Sequence, residues 1–221
     1  MNLTILFSGG KDSTFAVFWA LQQGHEIRLV SLMPESDSMM FHFPNVEFCR
    51  LQAQAMGLPI DFLKVKNSNE LEALEAYLAK MKKKGMCEGV VSGALESEYQ
   101  KQRIDGICHN IGVRSFSPLW RTGGIMLEEV TQYFEAIFTR VAAENFSDNF
   151  LGKRFDQMFL QFAAASSPSI NPRLEGGEGE TFVLDAPFFA KKIRLQKSEK
   201  KKDGGASWLE FNVAMLAAKK K

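Results

Sequence analysis

Four times in its first half the chain passes from an apolar run through a helical stretch to a glycine, and this alternation constrains the fold more than any other feature. Segments 3–7, 26–33, 60–65, 89–92 and 113–116 are short and apolar. The stretches 12–23, 46–56, 70–84 and 98–111 carry helical patterning and stop at Gly24, Gly57, Gly85 and Gly112. Glycine in that place supplies the left-handed residue that closes a helix C-terminus. Ser97 and Gln100 have capping-box spacing at the start of the fourth helix. The apolar runs are continuous rather than alternating, as in strands covered on both faces. The pattern predicts an open α/β fold with a five-stranded parallel sheet.

The rhythm breaks at "SPLWRTGG", residues 117–124, where Pro118 and a glycine pair interrupt it. A boundary near residue 124 divides the chain into a first domain, 1–124, and a smaller α+β domain, 125–221. In the second domain the sequence predicts strands over 136–143, 181–184 and 208–213 and a helix over 153–164. "KSEKKKDGG", residues 197–205, reads as an exposed charged loop.

The 221 residues are 45% hydrophobic, enough for a substantial core. Lys and Arg number 27 against 26 Asp and Glu, and this balance argues against nucleic acid as the main partner. Cys49, Cys87 and Cys108 are far apart and show no CxxC spacing, so buried free thiols in a reducing compartment are expected. The N-terminus lacks a basic segment followed by an apolar one, and no apolar run approaches the roughly 20 residues of a membrane span. A cytoplasmic protein with no membrane partner is the expectation.

The stretch "SGGKDS", residues 8–13, stands at the end of the first strand and the start of the first helix. In a parallel α/β sheet, ligands bind at the carboxyl ends of the strands. Gly9 and Gly10 let successive N–H groups turn toward one concavity, and the helix N-terminus adds partial positive charge. Ser8 and Ser13 offer hydroxyls and Lys11 a full charge, which together make a polyphosphate site. A Walker A loop is excluded, because Asp12 rather than Ser or Thr follows Lys11 and Ile5 occupies the position of the first glycine. A GxGxxG fingerprint is also absent.

"SGGKDS" resembles the PP-loop of the N-type ATP pyrophosphatases, which grips the β,γ-pyrophosphate while ATP is cut between its α and β phosphates. Two further stretches narrow the choice. "VVSGALESEYQKQRIDGIC" (90–108) with "SPLW" (117–120), and "NPRLEGGEGETFVLDAPFF" (171–189), closely resemble the diphthine–ammonia ligase family. "MFHFPN" (40–45) and "QAQAMGLPI" (52–60) also fit its first domain. The resemblance runs from Leu3 to about Ile193. It implies a PP-loop ATP pyrophosphatase fold of the adenine nucleotide alpha hydrolase-like type. It also implies amidation of diphthine, a modified histidine on translation elongation factor 2, with ATP, Mg²⁺ and ammonium. A different PP-loop ligase, a tRNA-modifying enzyme or a non-catalytic nucleotide sensor are the rival readings, and a homodimer is left open. The sequence departs from the family at Gly179, where an aromatic residue is usual, and at Phe43, where threonine is common.

The candidate residues follow. Asp12 suits Mg²⁺ beside polyphosphate, with an acid facing the helix dipole as the alternative. Ser97, Gln100 and Arg103 share one face of the fourth helix, while Ile104, Ile107 and Ile111 share another that can meet the sheet. The polar face could point toward ATP or be a solvated, capped surface. Glu175, Glu178 and Glu180 lie close together and would repel unless solvated, paired or metal-bound. They read as a site that takes up ammonium and helps deprotonate it, or as an acidic surface loop. The resemblance adds Met33 and Gly93 to the nucleotide site, and Asn171, Gly176 and Gly177 to the substrate site. His42 is a candidate substrate contact or a structural residue, Met39, Met40 and Phe41 line a pocket or pack, and His25 and His109 read as structural.

Overall fold

The computed structural model describes residues 1–34, 45–66, 69–93, 98–122, 124–143, 146–166 and 170–219. The chain divides into two compact units, one made of Met1–Ser8 with Asp12–Thr122 and the other of Gly9–Lys11 with Gly123–Lys221.

The first unit is the α/β sheet the sequence predicts. Strands β1 (Asn2–Leu6), β2 (Glu26–Pro34), β3 (Ile60–Val65), β4 (Gly89–Val91) and β5 (Arg114–Phe116) form one sheet in the order β3-β2-β1-β4-β5. Every neighbouring pair is parallel, with Leu3 opposite Ile27 and Gly89, and Ile5 opposite Leu29 and Val91. Helices α1 (Lys11–Gln22), α2 (Cys49–Met56), α3 (Glu70–Lys83) and α4 (Glu98–Ile111) make the crossovers. Ile5, Leu29, Val90 and Val91 are buried, as strands covered on both faces require. Leu74, Leu78 and Met81 of α3 and Ile104, Ile107 and Cys108 of α4 join Val30 and Val90 in one core. The chain runs outward from β1 to β2 and β3 on one side, then returns to β4 and β5 on the other. That reversal makes the carboxyl end of β1 a topological switch point.

Glycine closes α2 for a backbone reason. Gly57 has φ +70 with nothing within 4 Å of a would-be Cβ, so conformation rather than space demands it. Leu58 N donates to Ala53 O beyond it, completing the cap. The expected helix over 46–56 starts later, because Val46–Phe48 is a 3₁₀ turn. The capping-box residue Ser97 lies outside the described residues. All three cysteines are free and buried. Burial pushes the Cys49 thiol up to about 12 and the Cys108 thiol up to about 11, which suits inert core sulfurs.

The second unit holds α5 (Ile125–Tyr133), β6 (Glu135–Val141), α6 (Gln157–Ala165), β7 (Gly179–Asp185), β8 (Lys192–Asp203) and β9 (Ala206–Ala217). Its strands form an antiparallel sheet ordered β7-β6-β9-β8. A phenylalanine cluster fills its core. The Phe138 ring on β6 lies 5.5 Å from Phe146, 5.7 Å from Phe150, 5.6 Å from Phe155 and 4.7 Å from Phe159, with three of the four contacts edge-on.

Three expectations for this unit change. Helix α6 begins at Gln157 rather than at 153, because Asp156 caps it, its Oδ1 accepting from Phe159 N at 3.1 Å. Helix α5 stands where no element was expected. The charged stretch 197–205 is not a loop: its first seven residues complete β8, and the turn is confined to Gly204 and Gly205, with φ 54 and 88. Strand β8 is one of the sheet's two outer strands, and exposed lysines at 197, 200, 201 and 202 keep such an edge from pairing with other chains. Charge there marks an edge, not the absence of structure.

Phe159 is 1% exposed and packs against the rings of Phe138, Phe146, Phe150, Phe155 and Phe162. Truncation leaves a cavity that a sheet and one short helix cannot close. Phe159→Ala should lower stability by about 3–5 kcal/mol. Urea unfolding followed by circular dichroism checks this, and a loss under about 1 kcal/mol would contradict it.

Candidate functional site

Strand β1 ends at Leu6, and Phe7 N still donates to Val30 O of β2 at 2.9 Å. Helix α1 begins at Lys11, so the chain turns from the central strand into the helix within Ser8, Gly9 and Gly10. Gly9 takes φ 79, which only glycine adopts without strain. Ser13 Oγ accepts from Ser8 N at 3.3 Å and lies 3.2 Å from Ser8 Oγ. The two hydroxyls therefore gather at the start of α1, where the helix presents its positive end. Asp12 is half-buried in the first turn. Gly93, just past β4, approaches this turn closely: a Cβ there would lie 2.9 Å from both the Asp12 carbonyl carbon and Ser13 N. Its glycine identity follows from that approach.

Residues Gly9–Lys11 are built into the second unit. Strand β7 is an outer strand, and its Val183 N donates to Gly9 O at 3.0 Å. Lys11 N donates to Thr181 Oγ1 at 3.0 Å. Lys11 Nζ donates to Arg173 O at 2.7 Å and stands 5.6 Å from the centroid of the Phe155 ring. The lysine is only 2% exposed. A buried ammonium needs hydrogen bonds to be tolerable, and the Arg173 carbonyl supplies one. Lys11 is thus a seated cation rather than a mobile charge on a flexible stem.

The segment from Asn171 to Glu180 is held by its own polar groups. Asn171 Oδ1 accepts from Arg173 N at 2.9 Å, and Leu174 N donates to Asn171 O at 2.9 Å. Leu174 is buried with φ 64, a left-handed conformation rare for leucine. The Glu178 carboxylate accepts from Asn171 N at 3.3 Å and from Gly176 N at 2.8 Å, closing the loop. Gly177 supplies φ 80 inside it. Glu180 lies opposite Arg140 in the β6–β7 register, and their charged groups approach to 3.6 Å. Burial raises the Glu180 carboxyl above its usual range, and Arg140 opposes part of that shift. Mutual repulsion among Glu175, Glu178 and Glu180 is met differently at two of them: Glu178 by backbone donors, Glu180 by a guanidinium. A side chain at Gly179 would place Cβ 2.8 Å from Arg140 O and 3.0 Å from the Phe146 ring. The aromatic residue usual at this position has no room here.

The remaining candidates stand on other elements. Gln100 and Arg103 are exposed on α4, and the Arg103 guanidinium lies 3.8 Å from the centroid of the Tyr99 ring, itself 63% exposed. Met33 is half-buried on β2. His42 and Ser97 lie outside the described residues, as do Met39, Met40, Phe41 and Phe43. His25 is half-buried beside Trp19, and His109 is exposed. Among the described residues, no group of three or more His, Cys, Asp or Glu side chains could hold a metal ion. Sequence reasoning missed Thr181, Arg173 and Phe155. Thr181 directly follows the glutamate cluster and could have been flagged, but Arg173 acts through a backbone carbonyl that leaves no mark in the sequence.

Known proteins resemble both halves of this chain. The profile of the diphthamide synthase N-terminal domain matches residues 1–115, and that of the diphthamide synthase C-terminal domain matches residues 123–216. A bovine (Bos taurus) diphthine–ammonia ligase is 32% identical over 225 residues, covering 90% of this chain and 84% of its own. A zebrafish (Danio rerio) diphthine–ammonia ligase is also 32% identical, covering 90% of this chain and 88% of its own. Among solved structures, a predicted subunit of tRNA methyltransferase from Methanocaldococcus jannaschii covers 85% of this chain and 98% of its own, with TM-score 0.50 and 13% identity, a likeness of fold. Among the described residues no helix is long and apolar enough to cross a membrane. With a glycine turn at the switch point of a parallel sheet and both domain profiles matched along nearly its whole length, the chain belongs to the diphthamide synthase family.

Proposed function

We propose that this chain is an ATP-dependent carbon–nitrogen ligase that amidates diphthine on translation elongation factor 2. Ammonium is the nitrogen donor, and diphthamide, AMP and pyrophosphate are the products. The observation that carries the reading is the family match over both domains, joined to an intact Ser8–Ser13 turn at the carboxyl end of the central strand.

The residues divide the work as follows. Ser8, Gly9, Gly10 and Ser13 surround the polyphosphate, and Lys11 places a fixed positive charge beside it. Met33, Gly93, Ser97, Gln100 and Arg103 serve the rest of the nucleotide. Asp12 is a single half-buried carboxylate, which suits Mg²⁺, an ion commonly held by one or two carboxylates with phosphate oxygens and water. The ion's contribution would be to neutralise charge on the departing pyrophosphate. A carboxylate oxygen of diphthine attacks the α-phosphorus and pyrophosphate leaves. Ammonia then attacks the acyl carbon and AMP leaves. Glu175, Glu178 and Glu180 draw in ammonium, and Glu180, with its raised proton affinity, is the group suited to accept the proton that ammonium must lose. His42, Gly176 and Gly177 are the candidate contacts to diphthine, and the second domain receives the protein substrate. Residues 1–124 serve as the nucleotide domain and 125–221 as the substrate domain, in a cytoplasmic enzyme.

The deciding measurement is mass spectrometry of purified diphthine-bearing elongation factor after incubation with this protein, MgATP and ammonium. The acid should become the amide, with AMP and pyrophosphate appearing only when all components are present. ATP binding without products would support a sensor instead, and product formed on tRNA would support the other enzymatic reading. Lys11→Ala should slow AMP formation by roughly ten- to hundredfold, the worth of one charge-assisted hydrogen bond; unchanged ATP cleavage would refute its role. For Glu180 the sign is set by its raised proton affinity. Activity should fall as pH drops through a value above the ordinary carboxylate range, because the base becomes protonated. Glu180→Gln should lower the rate and abolish that acidic limb, and a profile identical to wild type would exclude Glu180 as the base.

A further inference from the structure

The turn at residues 171–174 places a backbone carbonyl on the Lys11 ammonium, 2.7 Å away. A carbonyl cannot be aimed by its own residue's side chain, so its neighbours must aim it. Asn171 Oδ1 holds Arg173 N, in the manner of an Asx turn. Pro172 restricts φ between them. Leu174 N returns to Asn171 O, and Leu174 takes φ 64. A left-handed leucine persists only where its surroundings over-determine it. Here its side chain is 8% exposed and its N–H closes the turn. The Glu178 carboxylate secures Asn171 N from the other side.

We propose that Asn171 is a positioning residue for Lys11: through the turn it closes, it aims the Arg173 carbonyl that seats the ammonium for nucleotide binding. This rests on the reading of Lys11 as a phosphate-binding cation. It replaces the expected contact of Asn171 with substrate by an indirect role. Lysine has a long flexible stem, and a seated ammonium meets phosphate without first being ordered.

The test is MgATP affinity, measured by equilibrium dialysis with labelled ATP on the full chain, so that it does not depend on amidation. Asn171→Ala and Asn171→Gln should both weaken binding on the order of tenfold, since neither can close the turn. Asn171→Asp keeps an acceptor at the same reach and should stay within about threefold of wild type. If Asn171→Ala proves unfolded by circular dichroism, the contrast between the Gln and Asp variants decides. In a Lys11→Ala background, Asn171→Ala should cost nothing further, because its effect passes through the ammonium. Losses that multiply in the double variant, or Ala and Gln variants that bind as wild type does, overturn the proposal. Wild-type protein that fails to bind ATP overturns the nucleotide reading itself, a distinguishable result.

Discussion

The seating of Lys11 is the constraint on which the rest of the site depends. A primary ammonium that is almost wholly buried is stable only if the surrounding structure supplies dipoles to it. Here a carbonyl from residue 173 and the face of Phe155 meet it, while Thr181 and Val183 bond the backbone of the same segment. The turn between β1 and α1 therefore takes its shape from residues more than 140 positions away in sequence. Its three residues from Gly9 to Lys11 group with the second unit for this reason, although the strand and helix on either side of them belong to the first.

Close backbone approach is the complementary constraint. Gly93 lets the end of β4 reach the first turn of α1, and Gly179 lets β7 begin against Arg140 O and the Phe146 ring. Each position excludes a side chain by contacts under or near 3.0 Å rather than by conformation. The carboxylates on either side of Gly179 are handled by unlike means. Two backbone donors fix the Glu178 carboxylate in place, whereas burial of Glu180 beside Arg140 leaves it with a raised proton affinity. Chemistry therefore differs between neighbours of one residue type, because the partners differ.

The first unit was legible where signals act over a few residues. Short runs between the helical stretches marked β1 to β5, and left-handed glycines marked the helix ends. The Asp156 cap on α6 was also readable, since a capping aspartate acts on an amide three residues on, yet the helix was begun at Lys153 instead. Strand β8 was misread because its composition answers to a different demand. An outer strand is kept soluble by lysines, and those lysines look like a loop when the pairing partner, β9, is unseen. Helix α5 follows a glycine pair that also marks a domain boundary, and its nine residues are too few to show a clear period.

By itself, then, the sequence determined a parallel sheet with glycine-terminated crossovers and a glycine turn at the end of its first strand. Those features follow from periodicity, φ requirements and capping, all local properties of side chains. Tertiary structure alone decided where the Lys11 ammonium rests, which glutamate is anchored and which is paired, and that a lysine-rich stretch is an edge strand. Backbone carbonyls, strand register and burial carry those outcomes, and they exist only once distant parts of the chain have met.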